Sequence, residues 1–444
     1  MNFHIYRIYK NALKLTANLH LIKWEKYQEV RNKYFALREA RDSSVRAKLY
    51  NRVDKDKARK EYLDWCLNHI NDKSQFVPLS DRNFERKPGD PKVIAYYLPQ
   101  FYSFPMNDNW FGRGFTEWTN TTKAVPQFCG HYQPRLPIDT GFYNLDTTAV
   151  MHRQAELARQ YGIYGFCFYY YWFHGDRIME KPIFNFLSDK SLDMPFMLFW
   201  ANENWTQNWH PDIASTSIGS KVYDAYHAPG EAAKFLDDIL PFFQDPRYIK
   251  IDGRPALTVY KHNKYKGVGD FIAALKKECA NRGTAEPYII LICDNDKPED
   301  LPTKYNADAF ADFATNTRCP IRKEKVDTIV NPNGNIKILK IEDYIKSKKY
   351  MYEAEYPIHR GAMTGYDNTA RKISTEAHLY PVSPGLYKTW ITDLCRWTRQ
   401  QKDERFVFVS AWNEWAEAMY LEPDMKYGYS FLDATRQAIE DTRK

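Results

Sequence analysis

The chain has 444 residues, so a single small domain is excluded and one large domain plus an extension fits best. A mean hydropathy of −0.64, ordinary glycine and proline contents and no apolar run of the roughly 18 residues a spanning helix needs exclude helical membrane bundles, collagen-like chains and low-complexity chains. The formal charge of +7 is unevenly placed: residues 1–90 carry +8 and the remainder −1, so the body is neutral and is not expected to bind nucleic acid.

In chain order, residues 1–75 read as a basic helical extension. Ile5, Ile8, Leu13, Leu15, Leu19 and Ile22 recur at helical spacing among Arg7, Lys10 and Lys14, and residues 1–60 alone carry +10. Such a helix either packs on the body or on a second subunit, giving a dimer, or rests peripherally on an anionic membrane surface. The first 25 residues lack the apolar core and cleavage site of a secretory leader. Seven scattered cysteines, odd in number and without a C-x-x-C pair, read as reduced thiols of a cytosolic protein rather than a disulfide framework or zinc ribbon. Residues 76–91 are polar and turn-rich and read as a linker.

From Lys92 onward short apolar runs alternate with helical segments. The runs are 93–101, 163–173, 196–204, 256–261, 288–295, 308–313, a weak one at 356–365, and 406–415. Helical stretches include 147–161, 230–243 and 268–282. Continuous apolar strands alternating with helices predict a parallel sheet buried on both faces. Eight such units predict an α/β fold, a (β/α)8 TIM-type barrel over 92–444, with an open doubly wound sheet as the rival. No G-x-G-x-x-G follows the first strand, which weakens that rival.

Active residues of such a barrel sit where strands end. Here those ends hold carboxylates and carboxamides beside aromatic rings, and 16% of the chain is aromatic. Rings that stack on C–H faces, next to groups that bond hydroxyls, suit a sugar. Glu414 and Glu417, after the eighth strand and beside Trp412 and Trp415, are the candidate catalytic pair. Two carboxylates brought to one side repel, one stays protonated, and an acid and a base are then both present. The candidate sugar-binding set is Tyr97, Trp110, Glu117, Trp118, Trp172, His174, Asn202, Glu203, Trp205, Asp367, Trp412 and Asn413. No metal or cofactor is expected: the chain lacks a Walker A loop, a G-x-S-x-G elbow and H-E-x-x-H, and His174, Glu203 and His210 have no compact ligand spacing.

The stretches AYYLPQF, NWFGRGFTEWTN, QPRLP, YGFCFYYYWF, FWANENWT, GYDNTAR and AWNEWAEAMYLEPD together resemble the glycoside hydrolase family 99-like domain, in particular the WbsX-like proteins of polysaccharide-biosynthesis loci. The resemblance runs from about Val93 to Asp424 and implies a barrel with two catalytic glutamates in an E-W-x-E motif. Carried over, Glu414 would act as base towards the 2-hydroxyl of the substrate and Glu417 would protonate the leaving oxygen. The route would run through a 1,2-anhydro sugar with retention, on α-mannosides. The hydrolase members commonly place His before the second Glu and Gly after it, where this chain has Ala416 and Ala418. The readings that follow are a retaining endo-acting glycosidase or transglycosylase on a surface polysaccharide or its lipid-linked precursor, a glycosyltransferase of polysaccharide assembly, or an inactive glycan-binding protein. The place expected is the cytoplasm, with peripheral contact at the inner membrane if the basic extension is a surface helix rather than a dimer contact.

Overall fold

The structure, a computed structural model, describes Lys33 and residues 55–206, 221–223, 228–263, 267–293, 300–313, 323–324, 335–372 and 376–443. Eight strands make the barrel: β1 (Lys92–Tyr97), β2 (Ile163–Phe173), β3 (Phe196–Trp200), β4 (Arg254–Val259), β5 (Tyr288–Ile292), β6 (Ala309–Ala311), β7 (Ile358–Met363) and β8 (Phe406–Ser410). Each pairs in parallel with its sequence neighbours, and β1 pairs with both β2 and β8, which closes the sheet. Closure explains the nearly unbroken apolar runs, because helices cover the outside while side chains fill the inside. Every residue of β3, β5, β6, β7 and β8 is buried. The outer layer includes Ala149–Gln160, Lys181–Ser188, Ala232–Phe243, Val268–Asn281, Ile341–Lys346, Pro384–Arg399 and Ser430–Asp441.

The strands stop earlier than their apolar runs suggest, for reasons visible in the side chains. β1 ends at Tyr97 because Asn413 takes over the next residue: its Oδ1 accepts from Leu98 N at 2.7 Å and its Nδ2 donates to Leu98 O at 3.0 Å. β3 ends at Trp200, and Asn202 bridges to the end of β4, accepting from Lys261 N at 2.8 Å and donating to Lys261 O at 3.1 Å. Amide side chains that mimic a strand partner satisfy the backbone where the ladder runs out.

Of the N-terminal extension, Lys55–Asn68 is helical as expected. It docks on the barrel: Tyr62 Oη donates to Pro126 O at 2.7 Å and Trp65 Nε1 to His131 O at 3.2 Å. Residues 1–54, apart from Lys33, lie outside the described residues. The turn-rich stretch 76–91 is tied down along the barrel rather than hanging free. Val77 bridges to Gly428, Arg86 Nη2 donates to Gly162 O at 2.8 Å, and the Asp90 carboxylate accepts from Arg399 and Arg443, each at 2.6 Å.

Candidate active site

A cavity of about 560 Å³ opens at the C-terminal ends of the strands. Its wall takes Leu98 after β1, Tyr169 and Tyr171 from the end of β2, Glu203 after β3, Tyr260 after β4, Phe313 after β6, Tyr366 after β7, and Glu414 and Glu417 after β8. The loop after β1 adds Trp110, Phe111 and Phe115, with Phe111 and Phe115 stacked at 4.5 Å. The cavity is therefore rich in rings, with polar groups contributed from the segments after β1, β3, β7 and β8.

The chain after β8 turns back on itself instead of entering a helix. Asn413–Glu414 pairs with Met419–Tyr420 as a hairpin, and Trp415–Glu417 forms a single 3-10 turn between them. Glu414 stands just before this turn and Glu417 ends it, and both carboxylates meet Arg371. Two anchors fix this turn. Asn413 grips Leu98, and Trp415 stacks on Tyr420 at 3.9 Å while its Nε1 donates to Glu422 at 2.6 Å. Ala418 closes the turn at φ 53°, the left-handed region where an L residue costs about 1–2 kcal/mol. This is the position at which the resembled hydrolases commonly carry glycine.

Arg371 meets the pair from the segment after β7. Its Nη1 lies 2.6 Å from Glu417 Oε1, and its Nη2 lies 2.9 Å from Glu117 Oε2 and 3.3 Å from Glu414 Oε2. All four side chains are nearly closed to solvent: 4% exposed for Glu117, 8% for Glu414, 10% for Arg371 and 14% for Glu417. Burial pushes the Glu414 carboxyl up to about 8; Arg371 pulls it down, while Glu417 and Glu117 push it further up. Glu414 and its neighbours therefore titrate as one coupled group, in which burial favours the protonated form of Glu414. Burial also raises the Tyr171 hydroxyl well above its usual value, and Glu414 and then Glu203 add to that rise, so Glu203 belongs to the same electrostatic cluster.

Of the sequence-predicted residues, Trp110, Glu117, Glu203, Glu414 and Glu417 line the cavity. Trp205 apart, the others named for sugar binding do not line it, and their place at the cavity wall is corrected. Tyr97 points outward, its hydroxyl bonded to Gln154 at 2.7 Å. Trp118 is buried against Phe101, Tyr143 and Trp415, with Nε1 on Tyr143 O. Trp172 packs on Trp200 and Phe235, and Trp412 is fully buried against Phe166. Asn202 and Asn413 hold strand ends together. His174 bonds Glu231 at 2.8 Å, away from the cavity wall. Asp367 is fully buried, accepting from His131 at 2.8 Å, Gln133 at 2.7 Å and Thr369 Oγ1 at 2.7 Å. It anchors the loop that delivers Arg371 and does not reach the cavity. The side chain of Trp205 lies outside the described residues.

Sequence reasoning missed Arg371 and the tyrosines of β2. For the latter a signal existed. Successive strand residues face opposite sides, so Tyr169 and Tyr171 turn into the barrel mouth while Tyr170 and Trp172 pack outward, Tyr170 on Phe242 and Trp172 on Phe235. Among the described residues no group of three His, Cys, Asp or Glu is arranged to hold a metal ion, and no helix is long and apolar enough to cross a membrane.

The family model described as Glycosyltransferase WbsX matches residues 93–435, which is nearly the whole barrel. The chain belongs to the WbsX family. A relative in two strains of Xanthomonas campestris pv. campestris, described as uncharacterized protein WxcX, is 36% and 35% identical over 349 residues, 78% of this chain. The chain spans about half the length of these curated relatives, 49% of each. A solved structure described as a glycoside hydrolase-like protein superposes with TM-score 0.50 over 82% of this chain and 98% of its own, at 13% identity, which shows a shared fold.

Proposed function

We propose that this WbsX-family barrel breaks and re-forms glycosidic bonds in a surface polysaccharide of O-antigen or capsule type, acting within the chain and with retention of configuration. The observation that carries this reading is the pairing of Glu414 and Glu417 on one rigid turn, both held by Arg371, in a ring-lined cavity at the mouth of the barrel. One carboxyl of the pair accepts the proton of the sugar's own 2-hydroxyl; O2 attacks C1 and the bond from C1 to the leaving oxygen breaks. The other carboxyl protonates that oxygen. Water, or a hydroxyl of a second glycan, then opens the 1,2-anhydro ring from the opposite face, so configuration is retained. Water makes the enzyme a glycosidase and a sugar hydroxyl makes it a transglycosylase; α-mannosides are the substrates that the family resemblance suggests.

The resemblance gives the base role to Glu414 and the acid role to Glu417. Burial favours the protonated form of Glu414, and Glu417 makes the shorter contact with Arg371, which supports the opposite start with Glu414 as the acid. The bonds made and broken are the same in both assignments, which differ in the carboxyl that takes the 2-hydroxyl proton and the one that protonates the leaving oxygen.

The transferase wording of the family model keeps a second reading open, sugar transfer from a nucleotide donor. The test is chain length. The protein is mixed with polysaccharide from its source cell in the absence of any nucleotide sugar. Shortened or redistributed chains support the proposal, whereas growth that begins only when a nucleotide sugar is added supports the second reading. Binding of glycan with neither change identifies an inactive glycan-binding protein. A lipid-linked precursor would place the work at the cytoplasmic face of the membrane, and the +10 segment 1–60 would serve as the peripheral contact. Sedimentation with anionic liposomes, lost as salt rises, supports that placement; dimerisation through 1–60 without liposome binding contradicts it.

A further inference from the structure

Glu422 stands just beyond the hairpin that holds Glu414 and Glu417, and it is 2% exposed. Backbone bonds fix the root of that hairpin. Leu421 N and Glu422 N both donate to Trp412 O, at 3.0 and 3.2 Å, and Trp412 N donates to Tyr96 O of β1 at 2.7 Å. The Glu422 side chain then ties the turn to this root. Its Oε2 accepts from Trp415 Nε1 at 2.6 Å and from Tyr143 Oη at 2.9 Å, and its Oε1 accepts from Gln154 Nε2 at 2.7 Å. Two of these partners lead back to the end of β1. Gln154, on helix Ala149–Gln160, accepts from Tyr97 Oη at 2.7 Å. Tyr143 accepts from Asn413 Nδ2 at 3.1 Å, the amide that clamps Leu98.

One carboxyl therefore joins the turn between Glu414 and Glu417 to an outer helix and to the loop after β1. It does not line the cavity, so it is not itself a catalytic residue. Nor does its charge favour the folded state at neutral pH. Burial pushes the carboxyl up to about 7, although its bonds to Gln154, Trp415 and Tyr143 pull it down. What an ionised carboxyl supplies here is acceptors without donors, on two oxygens in a fixed fork, where three donors converge.

We propose that Glu422 is a positioning residue: by holding Trp415 it sets where Glu414 and Glu417 stand against Arg371 and the sugar. The proposal rests on reading this pair as the one that acts on the glycan. A reacting group misplaced by about 1 Å can lose on the order of 100-fold in rate.

The experiment uses variants of the full chain. Glu422→Leu fills the space and removes every acceptor. Glu422→Gln keeps the shape and the bonds: its oxygen faces Trp415 and Tyr143, its NH2 faces Gln154, and the Gln154 amide turns over to accept it. Trp415→Phe keeps a ring on Tyr420 and removes the bond to Glu422. Carbon-13 NMR of labelled carboxyls, with no glycan present, reads the titration midpoint of Glu414, assigned by its absence in Glu414→Gln. Cleavage rate and affinity are measured on polysaccharide from the source cell.

Glu422→Leu and Trp415→Phe should each move the Glu414 midpoint by at least about half a pH unit, because its distance from Arg371 changes. Each should slow cleavage at least about tenfold while affinity stays within about twofold. Glu422→Gln should keep the midpoint and stay within about twofold of wild type in rate. Tyr387→Phe, which drops a buried bond to Thr435 on the outer helices, should lower Tm and move neither readout, which separates positioning from plain destabilisation.

An unchanged midpoint in both Glu422→Leu and Trp415→Phe overturns the proposal. So does an unchanged rate in both where the wild type cleaves, or a Glu422→Gln that loses as much as Glu422→Leu. If Glu422→Leu does not fold, Trp415→Phe decides alone. The midpoint needs no substrate, so the two readings fail separately. If it moves as stated and the wild type cuts no glycan, the glycan reading fails; if the wild type cuts and neither readout moves, the positioning fails.

Discussion

Replacing Glu414 by Gln should make the protein more stable as pH rises, while removing its activity. Burial holds the Glu414 carboxyl at about 8 against an ordinary 4.5. Above pH 4.5 the unfolded chain releases this proton and the folded chain keeps it, so stability falls with rising pH until the folded group also ionises near 8. At about 1.4 kcal/mol per unit, the group costs the folded state about 2–3 kcal/mol more at pH 7 than at pH 5, and about 4 kcal/mol more at pH 9. Gln is close in shape and carries no such term. Urea unfolding of wild type and Glu414→Gln across pH 5–9 should therefore show a stability difference that grows in favour of the variant by those amounts and flattens above pH 8. A difference that stays constant across this range would refute the reasoning, because Glu414 would then titrate alike in both states.

Arg371→Gln should cost about 3–5 kcal/mol at neutral pH, since it leaves Glu117 and Glu417 buried without their cation. Melting temperatures of the two proteins at neutral pH check it. Trp110→Ala should weaken glycan binding with little change in Tm, because Trp110 lines the cavity. Trp118→Ala should instead lower Tm, with a core loss of about 3–5 kcal/mol, because Trp118 is buried among rings; calorimetry and thermal melts separate the two. Ala418→Gly should raise stability by about 1 kcal/mol, since Ala418 sits at φ 53°, and a shift in the urea midpoint reads it.

The barrel was legible because its strands are continuous apolar runs separated by helical periods, and burial on both faces leaves no other pattern. The candidate pair, Glu414 and Glu417, was legible for a related reason: both carboxylates follow an apolar strand, at the end where the active residues of a barrel sit. The sugar-binding set was harder to read, because the same residue types also hold strand ends together. Asn202 and Asn413 look like hydroxyl binders in sequence and serve as backbone partners in the fold. Asp367 looks like a binding carboxylate and anchors the loop below it. Trp172 fails on parity alone, one residue beyond Tyr171 and therefore on the other face. Arg371 carried no local signal. Its importance arises only when the segment after β7 folds back to bring one guanidinium within reach of acids that lie 254, 43 and 46 positions away in the chain.

Cleavage of glycan chains by Glu414 and Glu417 is tested most directly by following the polysaccharide of the source cell by NMR during incubation with wild type, Glu414→Gln and Glu417→Gln, with glycan affinity measured beside it. New chain ends are expected from the wild type, first released in the anomeric configuration of the bond that was cut. A loss of at least about 100-fold is expected in each variant with affinity kept. Undiminished cleavage by either variant, or first-released ends of inverted configuration, would contradict retaining cleavage by this pair.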